Sequence, residues 1–134
     1  MNLTATAISL NVPDVEASAD FLRQHFGFEL VMSADGVASL TRPDAGVNVI
    51  FLRTGLSTFK PATHRDAAGP GLLIVFVVDD IDAEWDRLRD IVPIATAIET
   101  EPWGERYFQV LDPNGIVIQL VEWIDAHDAA VAGG

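Results

Sequence analysis

Ile8, Leu10 and Val12 alternate with Ser9 and Asn11, the period-two pattern of a half-buried strand. Pro13-Asp14 ends that run, and Asp14 has the type and position of a helix N-cap. Glu16 follows in the first turn, Val15, Phe21, Leu22 and Phe26 form an apolar stripe, and Gly27 is placed to stop the helix. Three strand-like runs come next, Phe28 to Met32, Val37 to Leu40 and Val47 to Leu52. Turn material separates them at Ala34-Asp35-Gly36 and Pro43-Asp44-Ala45-Gly46. Residues 54–71 lack periodicity and read as a long connecting loop. Leu72 to Val78 is a continuous apolar run, which predicts a strand buried on both faces. Asp79-Asp80 introduces a second amphipathic helix with Ile81, Trp85 and Leu88 inward and Ile91-Val92 as further candidates. A strand at Ile94 to Ile98, a loop through Pro102-Trp103-Gly104 and a hairpin complete the pattern. The hairpin runs from Arg106 to Leu111 and from Ile116 to Trp123 around Asp112-Pro113-Asn114-Gly115, and residues 125–134 are expected to be a loosely held tail.

The second half repeats the element order of the first. Val12, Asp14, Val15, Ala17, Asp20, Leu22 and Arg23 recur as Val78, Asp80, Ile81, Ala83, Asp86, Leu88 and Arg89, each 66 positions on, and Gly46 matches Gly115 at 69. A duplicated βαβββ unit accounts for both. The expected organisation is a single α+β domain with a first module at 1–53, a connecting loop at 54–71, a second module at 72–124 and the tail.

Charge narrows the partners. Eight Lys and Arg stand against 20 Asp and Glu, a formal net charge of -12. Proteins that bind nucleic acid concentrate positive charge instead, and anionic membrane surfaces are disfavoured in the same way. No run reaches the roughly 18 apolar residues of a membrane span. The N-terminus has no basic stretch leading into an apolar one, so a cytoplasmic protein is expected. Cysteine is absent, which removes disulfides, thiolate nucleophiles and thiolate metal ligands. No Gly-x-Ser-x-Gly elbow, phosphate-binding Gly-Lys-Ser/Thr loop or dinucleotide fingerprint occurs, and Gly69-Pro70-Gly71 precedes a strand rather than a helix. His25, His64 and His127 fall in a helix, a loop and the tail, outside every predicted strand. His64-Arg65-Asp66 reads as a solvated loop rather than a proton-transfer cluster. Only Glu29 and Glu122 lie well inside strand-like runs; Asp14, Asp79, Asp80 and Asp112 sit at corners, where capping accounts for them. No catalytic residue is assigned.

The two βαβββ units resemble the vicinal oxygen chelate superfamily, which includes glyoxalase I, bleomycin-resistance proteins, extradiol dioxygenases and fosfomycin-resistance enzymes. The stretches that carry the resemblance are Val12-Pro13-Asp14-Val15-Glu16, Phe26-Gly27-Phe28, Val78-Asp79-Asp80-Ile81-Asp82 and Arg106 through Trp123. It covers roughly residues 5–124 and implies a curled, eight-stranded mixed sheet around a cup-shaped cavity, completed in a homodimer. Metal-dependent members place His, Glu or Gln on inward positions of the first and fourth strands of each half, to hold Fe, Ni, Zn or Mn. Carried onto this chain, those positions are Ala7, Leu73, Gln119 and, with a one-residue ambiguity, Ile50 or Phe51. Three of the four side chains lack a donor atom, so no metal and no other cofactor is expected.

Strand parity extends the list of inward residues. Ala7 and Leu73 bring Ala5, Ser9, Asn11, Val75 and Val77 with them, and Gln119 brings Val117 and Val121. A two-residue turn at Pro113-Asn114 sets Phe108 opposite Gln119 and adds Arg106 and Val110 to the same face. A three-residue turn substitutes Tyr107 and Gln109. Glu122 falls on the face opposite Gln119, leaving a nearly carboxylate-free lining. Trp103 reads either as a lid over a flat or cationic ligand or as a packed loop anchor. Trp85 reads as core and Trp123 as a plug at a sheet end or interface. Arg106 has Glu105, Glu101 or a ligand carboxylate within reach. The candidate ligand-binding residues are therefore Ser9, Asn48, Leu73, Trp103, Arg106, Phe108 and Gln119. The expected function is metal-independent binding of an antibiotic-like aromatic or cationic small molecule, as in the bleomycin-resistance proteins. The alternative is a glyoxalase-like lyase or isomerase, or a dioxygenase, with a non-standard metal site.

Overall fold

A computed structural model describes residues 1–57 and 62–124; loop residues 58–61 and the expected tail at 125–134, with His127, lie outside the described residues. The chain divides into two compact units, Met1–Pro70 and Gly71–Gly134. Each repeats one plan.

In the first unit, β1 (Ala7–Val12) leads into α1 (Val15–Phe26), followed by β2 (Glu29–Ala34), β3 (Val37–Thr41) and β4 (Asn48–Arg53). The sheet order is β1-β4-β3-β2, with β1 and β4 parallel and the other pairs antiparallel. The Asp14 carboxylate accepts the Ala17 amide at 3.1 Å and caps α1. Gly27 ends the helix at φ +68°, a left-handed conformation that a Cβ would strain, with its N–H directed to the Leu22 carbonyl. Leu10, Val12, Ala38, Leu40, Val49 and Phe51 share one face and are buried with Val15, Ala19, Leu22 and Phe26 of α1. Each such large side chain contributes on the order of 1.5–3 kcal/mol through removal from water. The loop after β4 holds a short 3-10 turn, Ala62–Arg65. The Asn11 side-chain amide ties that loop down, donating to the His64 carbonyl (2.7 Å) and the Asp66 carbonyl (3.0 Å).

The second unit comprises β5 (Leu73–Val77), α2 (Ile81–Leu88), β6 (Ile94–Thr100), β7 (Glu105–Leu111) and β8 (Val117–Trp123). Its order, β5-β8-β7-β6, again has a parallel first pair and antiparallel others. Asp80 caps α2 through the Ala83 amide at 3.1 Å. Glu122 reaches the same helix end, its Oε1 accepting the Ile81 amide at 3.0 Å. Phe108, Val110, Ile118 and Leu120 are buried on this face with Ile81, Leu88 and Val92. Phe108 meets Trp85 edge to face, ring centres 5.1 Å apart.

Two expectations are corrected, and the open hairpin register is resolved. The β5 run is not buried on both faces: Leu73, Val75 and Val77 are 45%, 47% and 67% exposed, while Ile74 and Phe76 on the other face are half-buried. Ile91 is exposed, while Val92 is the buried member of that pair. Of the two turns open to the hairpin, the three-residue one is present. The Asp112 amide donates to the Ile116 carbonyl (2.9 Å), and Gly115, at φ +82°, donates to the Asp112 carbonyl (3.0 Å). Leu111 therefore faces Val117 and Gln109 faces Gln119. Among the described residues no helix is long and apolar enough to cross a membrane.

The buried Asp112 carboxylate holds this turn by accepting the amides of Asn114 (2.9 Å) and Ile116 (2.8 Å). Replacing Asp112 by Ala is expected to cost about 2–3 kcal/mol in urea unfolding, since two charge-assisted bonds are lost and the Ile116 amide is stranded. A loss below about 0.5 kcal/mol would show the turn to be held by other contacts.

Candidate ligand-binding face

The sheet of the second unit has one face on α2 and one free of it. Side chains alternate between them, so the corrected register decides the chemistry of the free face. One row across the sheet runs Val75, Gln119, Gln109, Thr96, and a neighbouring row carries Val77, Val121, Tyr107 and Glu99. Leu73, Val75 and Val77 form an exposed apolar strip along β5. Gln119 stands beside it and is 8% exposed.

Two hydrogen-bond systems occupy the other half of this face. Thr96 Oγ1 donates to Gln109 Oε1 (2.8 Å), and Gln109 Nε2 donates to Gln119 Oε1 (2.8 Å). Next to this relay the Tyr107 hydroxyl lies 2.6 Å from Glu99 Oε1 and 3.1 Å from Glu101 Oε1. Its proton is held by those carboxylates, chiefly by the bond to Glu99 and then by desolvation, so the phenol is pushed above its ordinary range. Burial, and secondarily the charge of Glu101, raises Glu105 from its usual value. Sequence reasoning missed this cluster. The sequence pattern ends the strand at Ile98, whereas β6 continues to Thr100, and shifts in its register bring Glu99 opposite Tyr107. The free face, expected to be nearly carboxylate-free, thus carries Glu99 beside Tyr107.

The expected site residues separate into two groups. Leu73 and Gln119 lie on the free face of the second unit. Phe108 does not, because the three-residue turn rotates it into the core against Trp85. Arg106 goes with it to the α2 face, where its guanidinium donates to Asp82 Oδ1 (2.7 Å) and Thr100 Oγ1 (2.8 Å). The Asp82 carboxyl is held below the usual carboxylate range by that bond. Val110 is also in the core. Trp103 occupies the turn before β7 and is 49% exposed, so it is not a packed anchor. In the first unit, Ser9 and Asn48 lie on the face of the sheet away from α1, with Ser9 paired to Ile50 and Asn48 to Ala7. Asn11 shares that face, but its amide is committed to the loop carbonyls.

The pairing also resolves which first-unit residue corresponds to Gln119. Ser9 pairs with Ile50 as Val75 pairs with Gln119, so Ile50 is the equivalent position and Phe51 belongs to the core. The row that reads Val75, Gln119, Gln109, Thr96 in the second unit reads Ser9, Ile50, Ser39, Met32 in the first.

The glyoxalase/bleomycin resistance protein/dioxygenase family model matches residues 4–120, nearly the whole of both units. The chain belongs to that superfamily. A superfamily member from Nocardioides has a similar fold, with a TM-score of 0.75 and 23% identity over 94% of this chain and 87% of that one. Lactoylglutathione lyase from Agrobacterium tumefaciens is similar at a TM-score of 0.71 and 19% identity, over 90% and 94% of the two chains. TnmS3, an antibiotic binding protein from Streptomyces sp. CB03234, is similar at 0.68 and 24%, over 90% and 96%. At such identities the likeness is one of fold. No curated protein sequence matches the chain.

Metal-dependent superfamily members would need donors at Ala7, Ile50, Leu73 and Gln119. Three of these are hydrocarbon, and the Gln119 oxygen already accepts the Gln109 amide, so these residues do not fit a metal centre. Among the described residues no group of three or more His, Asp or Glu side chains could hold a metal ion.

Tyr107 is the chain's single tyrosine, which makes its titration directly readable. The ultraviolet absorbance of tyrosinate is expected to rise only well above the ordinary midpoint of about 10. Glu99→Gln should lower the midpoint. Because the folded-state value is raised, this proton contributes stability that is complete below the unfolded value and lost as pH climbs through the folded one. An unshifted midpoint in the native protein would contradict the bonding described.

Proposed function

We propose that this superfamily member binds a small, largely flat organic molecule of the antibiotic type without transforming it. The observation that carries the reading is the exposed apolar strip of Leu73, Val75 and Val77 beside Gln119, a largely buried polar residue, on a sheet face that α2 leaves uncovered. Apolar surface supplies affinity and a few placed polar groups supply orientation, the usual division in small-molecule sites. Trp103 offers an exposed indole within the second unit, and on the corresponding face of the first unit Ser9 and Asn48 are polar candidates in their own right. The likeness to TnmS3 supports a binding role. The acidic surface favours ligands that carry positive charge, an attraction that weakens with salt. A homodimer belongs to this proposal, as the form in which the superfamily resemblance implies the binding cup is completed.

The experiment is equilibrium dialysis with tryptophan fluorescence, titrating planar aromatic natural products and cationic glycopeptides. Saturable binding that quenches wild type, and quenches Trp103→Phe less, is expected. Failure of every compound in both measurements would overturn the reading, and sedimentation velocity giving only monomer would remove the dimer.

The alternative, a lyase, isomerase or dioxygenase, has one observation in its favour: Glu99 and Glu101 converge on the Tyr107 hydroxyl and bring oxygen donors to the free face. Elemental analysis of protein purified without chelator separates the two. A stoichiometric transition metal, lost in Glu99→Gln or Gln119→Leu, would establish the alternative.

A further inference from the structure

The polar end of the free face has a direction. An amide side chain has an oxygen at one tip and an NH2 at the other, so a bond made through one tip leaves the other tip for a different partner. The Thr96 hydroxyl donates to the Gln109 oxygen, which leaves the Gln109 nitrogen to donate to the Gln119 oxygen. Among the described residues this is the only side-chain hydrogen bond that Gln119 makes, and its own NH2 group is left at the end of the chain. No fully buried side-chain nitrogen or oxygen among the described residues lacks a partner, so the Gln119 nitrogen, which has none among those residues, keeps some accessibility. Gln119 borders Val75, its partner on β5, within the apolar strip.

From this geometry we infer that Gln119 recognises a hydrogen-bond acceptor on the ligand, and that the acceptor is a neutral carbonyl oxygen of the amide, lactone or ketone kind. The inference rests on the binding reading above and deepens it. The neutrality follows from the neighbouring row. Tyr107 and its carboxylate partners Glu99 and Glu101 lie about 7 Å along the strands from the Gln109 row, and Glu105 is on the same edge. Their charge, on a chain of net -12, opposes a carboxylate or phosphate ligand at Gln119 while leaving an uncharged acceptor unaffected. Gln109 is a positioning residue: its NH2 group holds the Gln119 oxygen, and Thr96 holds the Gln109 oxygen in turn. In the first unit the equivalent row has Ile50 in place of Gln119, so this recognition belongs to the second unit.

Three two-ring probes of similar area separate the possibilities by equilibrium dialysis: coumarin, which only accepts hydrogen bonds, indole, which only donates, and naphthalene, which does neither. Wild type is expected to hold coumarin about tenfold more tightly than naphthalene, the effect of one directed hydrogen bond, and to give indole no advantage. Gln119→Glu keeps the size and still accepts from Gln109, but loses the donor; it should erase the coumarin preference and transfer it to indole. Thr96→Val removes the hydroxyl bonded to the Gln109 oxygen and so loosens the amide that holds Gln119. It should shrink the coumarin-to-naphthalene ratio to about twofold or threefold with naphthalene affinity unchanged, which a general loss of structure would not do. In wild-type NMR spectra the Gln119 side-chain NH2 signals, assigned by their loss in Gln119→Glu, should move with coumarin and not with naphthalene. Equal affinity for coumarin and naphthalene, or a preference for indole, would overturn the inference while leaving the binding function standing. Absence of saturable binding for all three probes would overturn both.

Discussion

The carboxylate of Asp112 accepts two backbone amides inside one turn, and through them it selects a three-residue connection between β7 and β8. A strand pair has only two ways to face its side chains, so one residue more or less in the turn exchanges the two faces of β7 completely. With the turn as it is, Phe108 and Arg106 go to α2, and Tyr107 and Gln109 go to the free face. The core contact of Phe108 with Trp85, the Arg106–Asp82 ion pair and the amide relay to Gln119 are consequences of that one choice.

The two units show how one backbone plan carries different chemistry. Both have a parallel pair between the first and last strands, an Asp-capped helix and a buried face of similar composition. Packing against a helix restricts the buried faces to hydrocarbon, whereas the free faces carry no such constraint. Those free faces have diverged to Ser9, Ile50 and Ser39 in one unit and Val75, Gln119 and Gln109 in the other. Membership of the superfamily therefore speaks to the skeleton, and the side chains on these rows speak to function.

Charge is distributed to match. Several acidic side chains serve local purposes: Asp14 and Asp80 cap helices, Asp35 and Asp82 pair with Arg53 and Arg106, and Glu122 braces the start of α2. Exposed pairs of this kind contribute little stability each, at most about 1 kcal/mol. Glu99 and Glu101 differ because they share a phenol on the free face, where a ligand would feel them.

Much of the fold was legible in the sequence. Period-two alternation marked β1, capping residues marked the start of both helices, Gly27 marked the end of α1, and the 66-residue recurrence marked the duplication, all of which depend on neighbours close in the chain. The same local logic put Gln119 and Glu122 on opposite faces. What stayed hidden involves partners far apart. Alternation tells which residues of one strand share a face, but not which residue of the next strand lies opposite, and so Phe108 and Gln109 could not be told apart. Nor could it reveal that Asn11 is used up by the carbonyls of His64 and Asp66, that β6 runs on to place Glu99 beside Tyr107, or that β5 is covered on one side only. The sequence by itself determined the elements, their order and their repeat, because local periodicity and capping encode them. Only the tertiary structure decided the chemistry of the free face, because that depends on cross-strand register, which the bonds of a single turn and the pairing of distant strands impose.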